Sequence, residues 1–204
     1  MGKAFTELEK QQLKALLIDV AEQAFQTQHF SEVKVEDLAK ATGISKGAFY
    51  KFYKSKEEIF IDVLIRVEAQ MQREMLIGLV GKETLREQLI DLLVSAMFQF
   101  ERSYLYKSFE DPQVQAAVLS KATEEQRSQM LLADQKMLDF IVGDGHALTV
   151  DRNVALDMMR SLFFIIPYKT QLTSGFDTFV RAYVTAIVGG IIREDAPALV
   201  ISNL

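Results

Sequence analysis

Residues 34–56 read KVEDLAKATGISKGAFYKFYKSK, and this stretch decides the fold. Val35, Leu38 and Ala39 put apolar groups on one side of a short helix. Gly43 stops that helix, because glycine takes the left-handed backbone of a helix end at least cost. Ser45 is suited to cap the next short helix, where Ala48, Phe49 and Phe52 lie to one side. Val35, Leu38, Ala39, Ile44, Phe49 and Phe52 can hold the two helices against each other and against the helix before them. This is the layout of a helix-turn-helix, whose second helix enters the major groove with its N-terminal residues on the base edges.

On that second helix Lys46, Gly47, Tyr50 and Lys51 face away from the apolar side. Lysine can donate to guanine O6 and N7 or to phosphate, and a tyrosine hydroxyl can reach phosphate. Gly47 removes bulk where backbone must approach closely. Lys56 stands in the first turn of the following helix, whose free N–H groups attract phosphate. The candidate DNA-contacting set is Ser45, Lys46, Gly47, Ala48, Tyr50, Lys51, Phe52 and Lys56, with Phe52 fitting either the core or the groove rim. Charge agrees with a local site. The chain of 204 residues carries −5, yet residues 1–56 hold 9 Lys against 7 acids and Ile44–Lys56 holds 4 Lys and no acid. A basic patch on an acidic body suits phosphate binding at one place only.

Outward from this stretch, helix is the only strong periodicity. Leu13, Leu16, Leu17, Val20, Ala21, Ala24 and Phe25 predict an amphipathic first helix over about 7–28. Ser55 and Glu58 form a capping-box pattern for a fourth helix carried by Phe60, Val63, Leu64, Val67, Met71 and Met75 to about Leu79. Further helices are predicted over about 83–102, over 104–109, over 112–142 with a break near Ala122–Glu125, from Asp151 to the Pro167 region, and over a last stretch capped by Ser174. The expected fold is all-α, with about nine helices: a three-helix DNA-binding domain at 1–56 and a larger effector-binding and dimerisation domain at 57–204.

Composition excludes several classes. Cysteine is absent, and the two histidines, His29 and His146, stand 117 positions apart. Neither a thiolate site nor a Glu-x-x-His pair is available, so no metal and no cofactor is expected. There is no Gly-rich phosphate loop, no nucleophile elbow and no histidine paired with a carboxylate at a useful spacing, which argues against an enzyme. Apolar runs reach about six residues where a membrane span needs about 20, so no membrane partner is expected. Lys3, Glu7, Glu9, Lys10, Lys14 and Asp19 are wrong for a signal peptide, and a cytoplasmic location is the default.

Residues 13–64 closely resemble the DNA-binding domain of the TetR (tetracycline repressor-like) family. The resemblance rests on Ala24-Phe25, Val35-Glu36-Asp37-Leu38-Ala39, the run from Gly43 to Tyr50, Phe52, and Lys54-Ser55-Lys56-Glu57-Glu58-Ile59. It implies a homodimeric transcription factor, usually a repressor, in which the later helices enclose an effector and the last two pair the subunits. Three positions depart from the family's common pattern: Lys34 replaces a capping Thr, Ala48 a frequent Thr and Tyr53 a common Phe.

The resemblance implies operator DNA, a small effector and a second copy of the chain as partners. The Phe and Met content of the later helices favours an apolar effector. Phe98, Arg102, Phe109, Met130, Asp134, Met137 and Phe163 are its candidate contacts, and control by a protein partner is the alternative. The last helix carries two adjoining apolar stripes, one more than its own core needs. Phe163, Ile166, Phe176, Val180, Val184 and Ile187 are therefore the candidate dimer interface.

Overall fold

The computed structural model describes residues 6–77, 84–108, 111–143 and 145–199. Among these it contains ten α-helices and no strand beyond two isolated bridges. No described helix is long and apolar enough to cross a membrane.

The local chemistry of each helix start is visible. In α1 (Glu7–Thr27) the Thr6 hydroxyl accepts from Glu9 N–H at 3.2 Å, and the Glu9 carboxylate accepts from Thr6 N–H at 2.7 Å. α2 (Val35–Ala41) begins at Lys34 with no side-chain cap, as the missing hydroxyl predicts. Glu36 and Asp37 in its first turn complement the helix dipole instead. Gly43 turns the chain at φ +71°, and the Ser45 hydroxyl caps α3 (Lys46–Phe49) by accepting from Ala48 N–H at 3.1 Å. At α4 (Lys56–Ile77) the Ser55 hydroxyl accepts from Glu58 N–H at 3.3 Å. The Glu58 carboxylate accepts from Lys54 N–H at 2.6 Å, one residue earlier than a capping box requires. The break expected at Gly78–Gly81 and the end of the fourth helix near Leu79 lie outside the described residues.

The chain forms two compact units. The first comprises residues 1–67 and 103–127, so it joins α1–α3 and the start of α4 to α6 (Tyr104–Lys107), α7 (Pro112–Lys121) and the first turn of α8 (Glu124–Val142). Its centre is aromatic. The Phe60 ring meets Phe25 edge-on at 4.7 Å and Phe30 at 5.0 Å, and Phe25 and Phe60 are fully buried. Leu17, Ala21, Leu38, Phe49, Ile59, Val63 and Leu105 complete the core around them. The buried Ser108 hydroxyl accepts from Phe30 N–H at 2.9 Å and holds the α1–α2 loop.

The second unit comprises residues 68–102 and 128–204. It contains α5 (Leu85–Arg102), the rest of α8, α9 (Arg152–Ser161), a 3₁₀ segment (Leu162–Gln171) and α10 (Phe176–Ile191). Leu85, Leu89, Leu92, Leu93 and Met97 of α5 pack in one cluster with Val180, Val184, Val188 and Ile191 of α10. The Arg86 guanidinium closes the far end of α10, donating to Ile192 O at 2.7 Å and Gly189 O at 3.2 Å. α10 starts at Gly175, φ +79°, without a side-chain cap, so the expected cap from Ser174 is corrected.

One set of predicted interface residues is also corrected. Ile166, Val180 and Val184 are buried within their own unit, at 2%, 0% and 0% exposure, and have no surface left for a second chain. The inward face of α10 runs through Val180, Val184, Val188 and Ile191. Phe176 and Ile187 are half-buried at its margin.

The turn between α2 and α3 gives a direct test. A Cβ at Gly43 would meet nothing within 4 Å, so the cost of Gly43→Ala is backbone conformation alone. We expect a loss of about 1–2 kcal/mol in denaturant melting. An unchanged midpoint would show that the turn relaxes to negative φ.

Candidate nucleic-acid interface

The surface of α3 is positioned from below. Phe49 is fully buried and its ring lies 5.9 Å from that of Tyr53, whose N–H donates to Phe49 O at 3.1 Å. Tyr53 is itself buried and its hydroxyl donates to Asp62 Oδ2 at 2.9 Å. Burial and then the Asp62 charge push the Tyr53 phenol above its usual range, so it stays a donor. With Phe49 and Tyr53 inward, helical spacing turns Ser45, Lys46, Gly47, Tyr50 and Lys51 to solvent, while Ala48 and Phe52 are half-buried. Seven of the eight predicted DNA-contacting residues thus share one small surface.

Two lysines are not free charges. Lys46 Nζ pairs with the Glu36 carboxylate of α2, and that hydrogen bond holds the Lys46 pKa above and the Glu36 pKa below their ordinary values. Both side chains are about half exposed (52% and 55%), a setting in which ion pairs hold weakly and a phosphate can compete. Lys56 requires a correction. Its ammonium donates to Phe30 O at 2.6 Å and Val33 O at 2.9 Å and lies 4.1 Å from the centre of the Phe30 ring. Burial lowers its pKa. The group satisfies loop carbonyls inside the unit and does not face the surface of α3.

This site on this fold has the layout of a helix-turn-helix. Residues 17–63 match the family described as bacterial regulatory proteins, tetR family. The regulator EthR of Mycolicibacterium smegmatis is 35% identical over 51 residues, which is 25% of this chain and 24% of that protein. The regulator AcrR of Shigella flexneri is 30% identical over 105 residues, 49% of each chain. The match thus spans about a quarter and about half of these two relatives. The fold extends further: the transcriptional regulator FadR of Bacillus subtilis, solved with stearoyl-CoA, superposes with a TM-score of 0.59 at 19% identity, over 87% of this chain and 98% of that one. The similarity to the TetR family is thus carried by the DNA-binding domain at residues 17–63.

The predicted effector contacts do not converge as one set. Phe98 and Met137 pack at the edge of the second unit's core, and Met130 is half-buried. Arg102 ends α5 exposed to solvent. Asp134 Oδ2 accepts from Arg160 Nε at 2.6 Å, so its charge is already matched. Phe163 lies in the 3₁₀ segment, and Phe109 lies outside the described residues.

Sequence reading missed Glu68, which stands near this Asp134–Arg160 pair. Withdrawal from water, then the Asp134 charge, push its carboxyl up to about 7, against a smaller opposing pull from Arg160. The signal was present: Leu64, Glu68 and Met71 follow helical spacing, so an acid interrupts the apolar stripe of α4. A raised carboxyl pKa means that the folded state binds the extra proton. Its stabilisation is therefore complete below pH 4.5 and is lost as pH rises through about 7. Chemical denaturation between these pH values should show Glu68→Gln flattening the decline. A variant with the same pH slope as the parent would show that Glu68 titrates normally.

Proposed function

We propose that the chain is a homodimeric repressor that leaves a palindromic operator when a small apolar effector binds. The observation that carries this reading is the exposed set Ser45, Lys46, Gly47, Tyr50 and Lys51, displayed over buried Phe49 and Tyr53. A four-residue helix cannot persist alone, so a rigidly backed surface of small, basic and hydroxyl-bearing groups suits insertion into a groove. Residues 1–56 carry DNA contact in this reading, and residues 57–204 carry effector binding and pairing. A cytoplasmic location goes with access to DNA.

Two recognition surfaces related by a two-fold axis require two-fold DNA. With the inward stripe of α10 occupied, its solvent face is the better pairing surface. Asp177, Thr178, Arg181, Ala182, Thr185 and Ala186 line a hollow there, and exposed Gly189 and Gly190 extend the run of small residues. The half-buried Phe98, Met130 and Met137 supply adaptable apolar groups for an effector, and the oxygen-rich pockets of polar ligands have no counterpart in this set.

Duplexes selected from a random pool should yield a palindromic site for the parent protein. Replacing Lys46 and Lys51 by alanine should weaken binding to it by about tenfold or more and lower the salt slope by about 1 per lost phosphate contact. Full affinity and full slope in that variant would overturn the assignment. For pairing, Ala186→Glu should turn the dimer into a monomer in sedimentation velocity with its helical signal intact. An Ala186→Glu protein that stays dimeric would place the interface elsewhere.

A further inference from the structure

The most connected polar group of the first unit is the Asp62 carboxylate on α4. Tyr53 OH donates to its Oδ2 at 2.9 Å, and Lys14 Nζ of α1 lies 3.5 Å from the same oxygen and 5.5 Å from the centre of the Tyr53 ring. The other oxygen, Oδ1, accepts from Gln126 Nε2 at 2.6 Å. Gln126 belongs to the first turn of α8 and is only 6% exposed. Its amide also donates to Glu58 O at 2.9 Å, and its Oε1 accepts from Thr123 N–H at 3.0 Å, while Gln126 N–H donates to the Thr123 hydroxyl at 3.1 Å. Gln126 thus starts α8 through a capping box and, with the same amide, grips α4 twice. The two oxygens of Asp62 are divided: one holds the residue packed under α3, and the other holds α8.

We propose that Gln126 is a positioning residue for the recognition surface: through Asp62 it ties the first turn of α8 to Tyr53, so the placement of that turn sets the pose of α3. The inference rests on the DNA-binding reading of α3. Capping alone does not account for the geometry, because a capping box needs only Oε1 and leaves the amide N–H groups free. Packing alone does not account for it either. Two donors from one buried side chain reach a carboxylate and a backbone carbonyl on α4, and a charge-assisted bond of this kind is among the stronger and more directional ones.

Gln126→Glu separates the two tasks of the side chain. A glutamate keeps the capping box and favours a helix N-terminus, so α8 still starts at the same place. It presents a second carboxylate to Asp62 and has no amide to donate. Gln126→Met, of similar length without polar atoms, is the companion variant if charge repulsion unfolds the first. Each is made alone and with Tyr53→Phe, which keeps the ring and removes the hydroxyl. Hydrogen exchange of the amides of residues 48–53 reads the link without any DNA, and affinity for a duplex selected from a random pool reads its consequence. We expect faster exchange at 48–53 and about tenfold weaker binding in either Gln126 variant. In the Tyr53→Phe background the same substitutions should have little further effect, since members of one network are not additive. Equal effects of Gln126 substitution in both backgrounds, or unchanged exchange at 48–53, would overturn the proposal. Faster exchange at 48–53 in the Gln126 variants that vanishes in the Tyr53→Phe background, in a protein whose parent binds no selected duplex, would instead uphold the tie and overturn the DNA-binding reading.

Discussion

The contact on which the rest of the first unit depends is that of Phe60 with Phe25 and Phe30. α1 supplies one ring, the α1–α2 loop the second and α4 the third, and edge-on packing fixes their mutual angle. A loop residue cannot lie in a core unless its backbone polar groups find partners. Here the Phe30 N–H reaches Ser108 and the Phe30 carbonyl reaches Lys56. The lysine that sequence reading offered to phosphate is therefore what permits an aromatic loop residue to be buried. It thereby fixes one side of the seat on which α2 and α3 rest.

A second level of order is built on that seat. The α2–α3 pair is short, and α3 has only four helical residues, so its pose comes from tertiary contacts and not from its own hydrogen bonds. Phe49 and Tyr53 press it down, Ser45 caps it and Gly43 sets the angle at which it leaves α2. In the second unit the same physics is spread over longer helices. α5 and α10 share one apolar seam, and Arg86 fastens the end of it.

Much of this was legible because local signals and periodicity agreed. Gly43, Ser45, Asp111-Pro112 and Asp151 marked helix ends at the places where the structure has them. The missing hydroxyl at Lys34 correctly foretold an uncapped α2. Periodicity shows that a helix has an apolar stripe but not which body covers it, and this is why Val180 and Val184 were assigned to the wrong partner. Long side chains were the least legible. Lys46 and Lys56 both read as free cations, yet one finds an acid ten positions away and the other finds carbonyls more than twenty positions away. The link from Gln126 to α4 gave no signal, because its partners there are 64 and 68 positions distant.

The Lys46–Glu36 pair sets Lys46 apart from Lys51 and Lys54, which follow the third helix. Seen from several Debye lengths, a paired lysine and glutamate are a small dipole and attract a polyanion little. In the DNA-binding reading proposed above, Lys51 and Lys54, with no acid between Ile44 and Lys56 in the sequence, contribute the field that draws the protein toward DNA. Lys46 is already an ammonium in its pair with Glu36, and in that reading it turns to a phosphate or a guanine edge only when one comes near enough to displace the carboxylate. In that reading approach from a distance and grip at contact fall to different side chains, and an encounter too loose to dislodge the carboxylate leaves one lysine out of the grip.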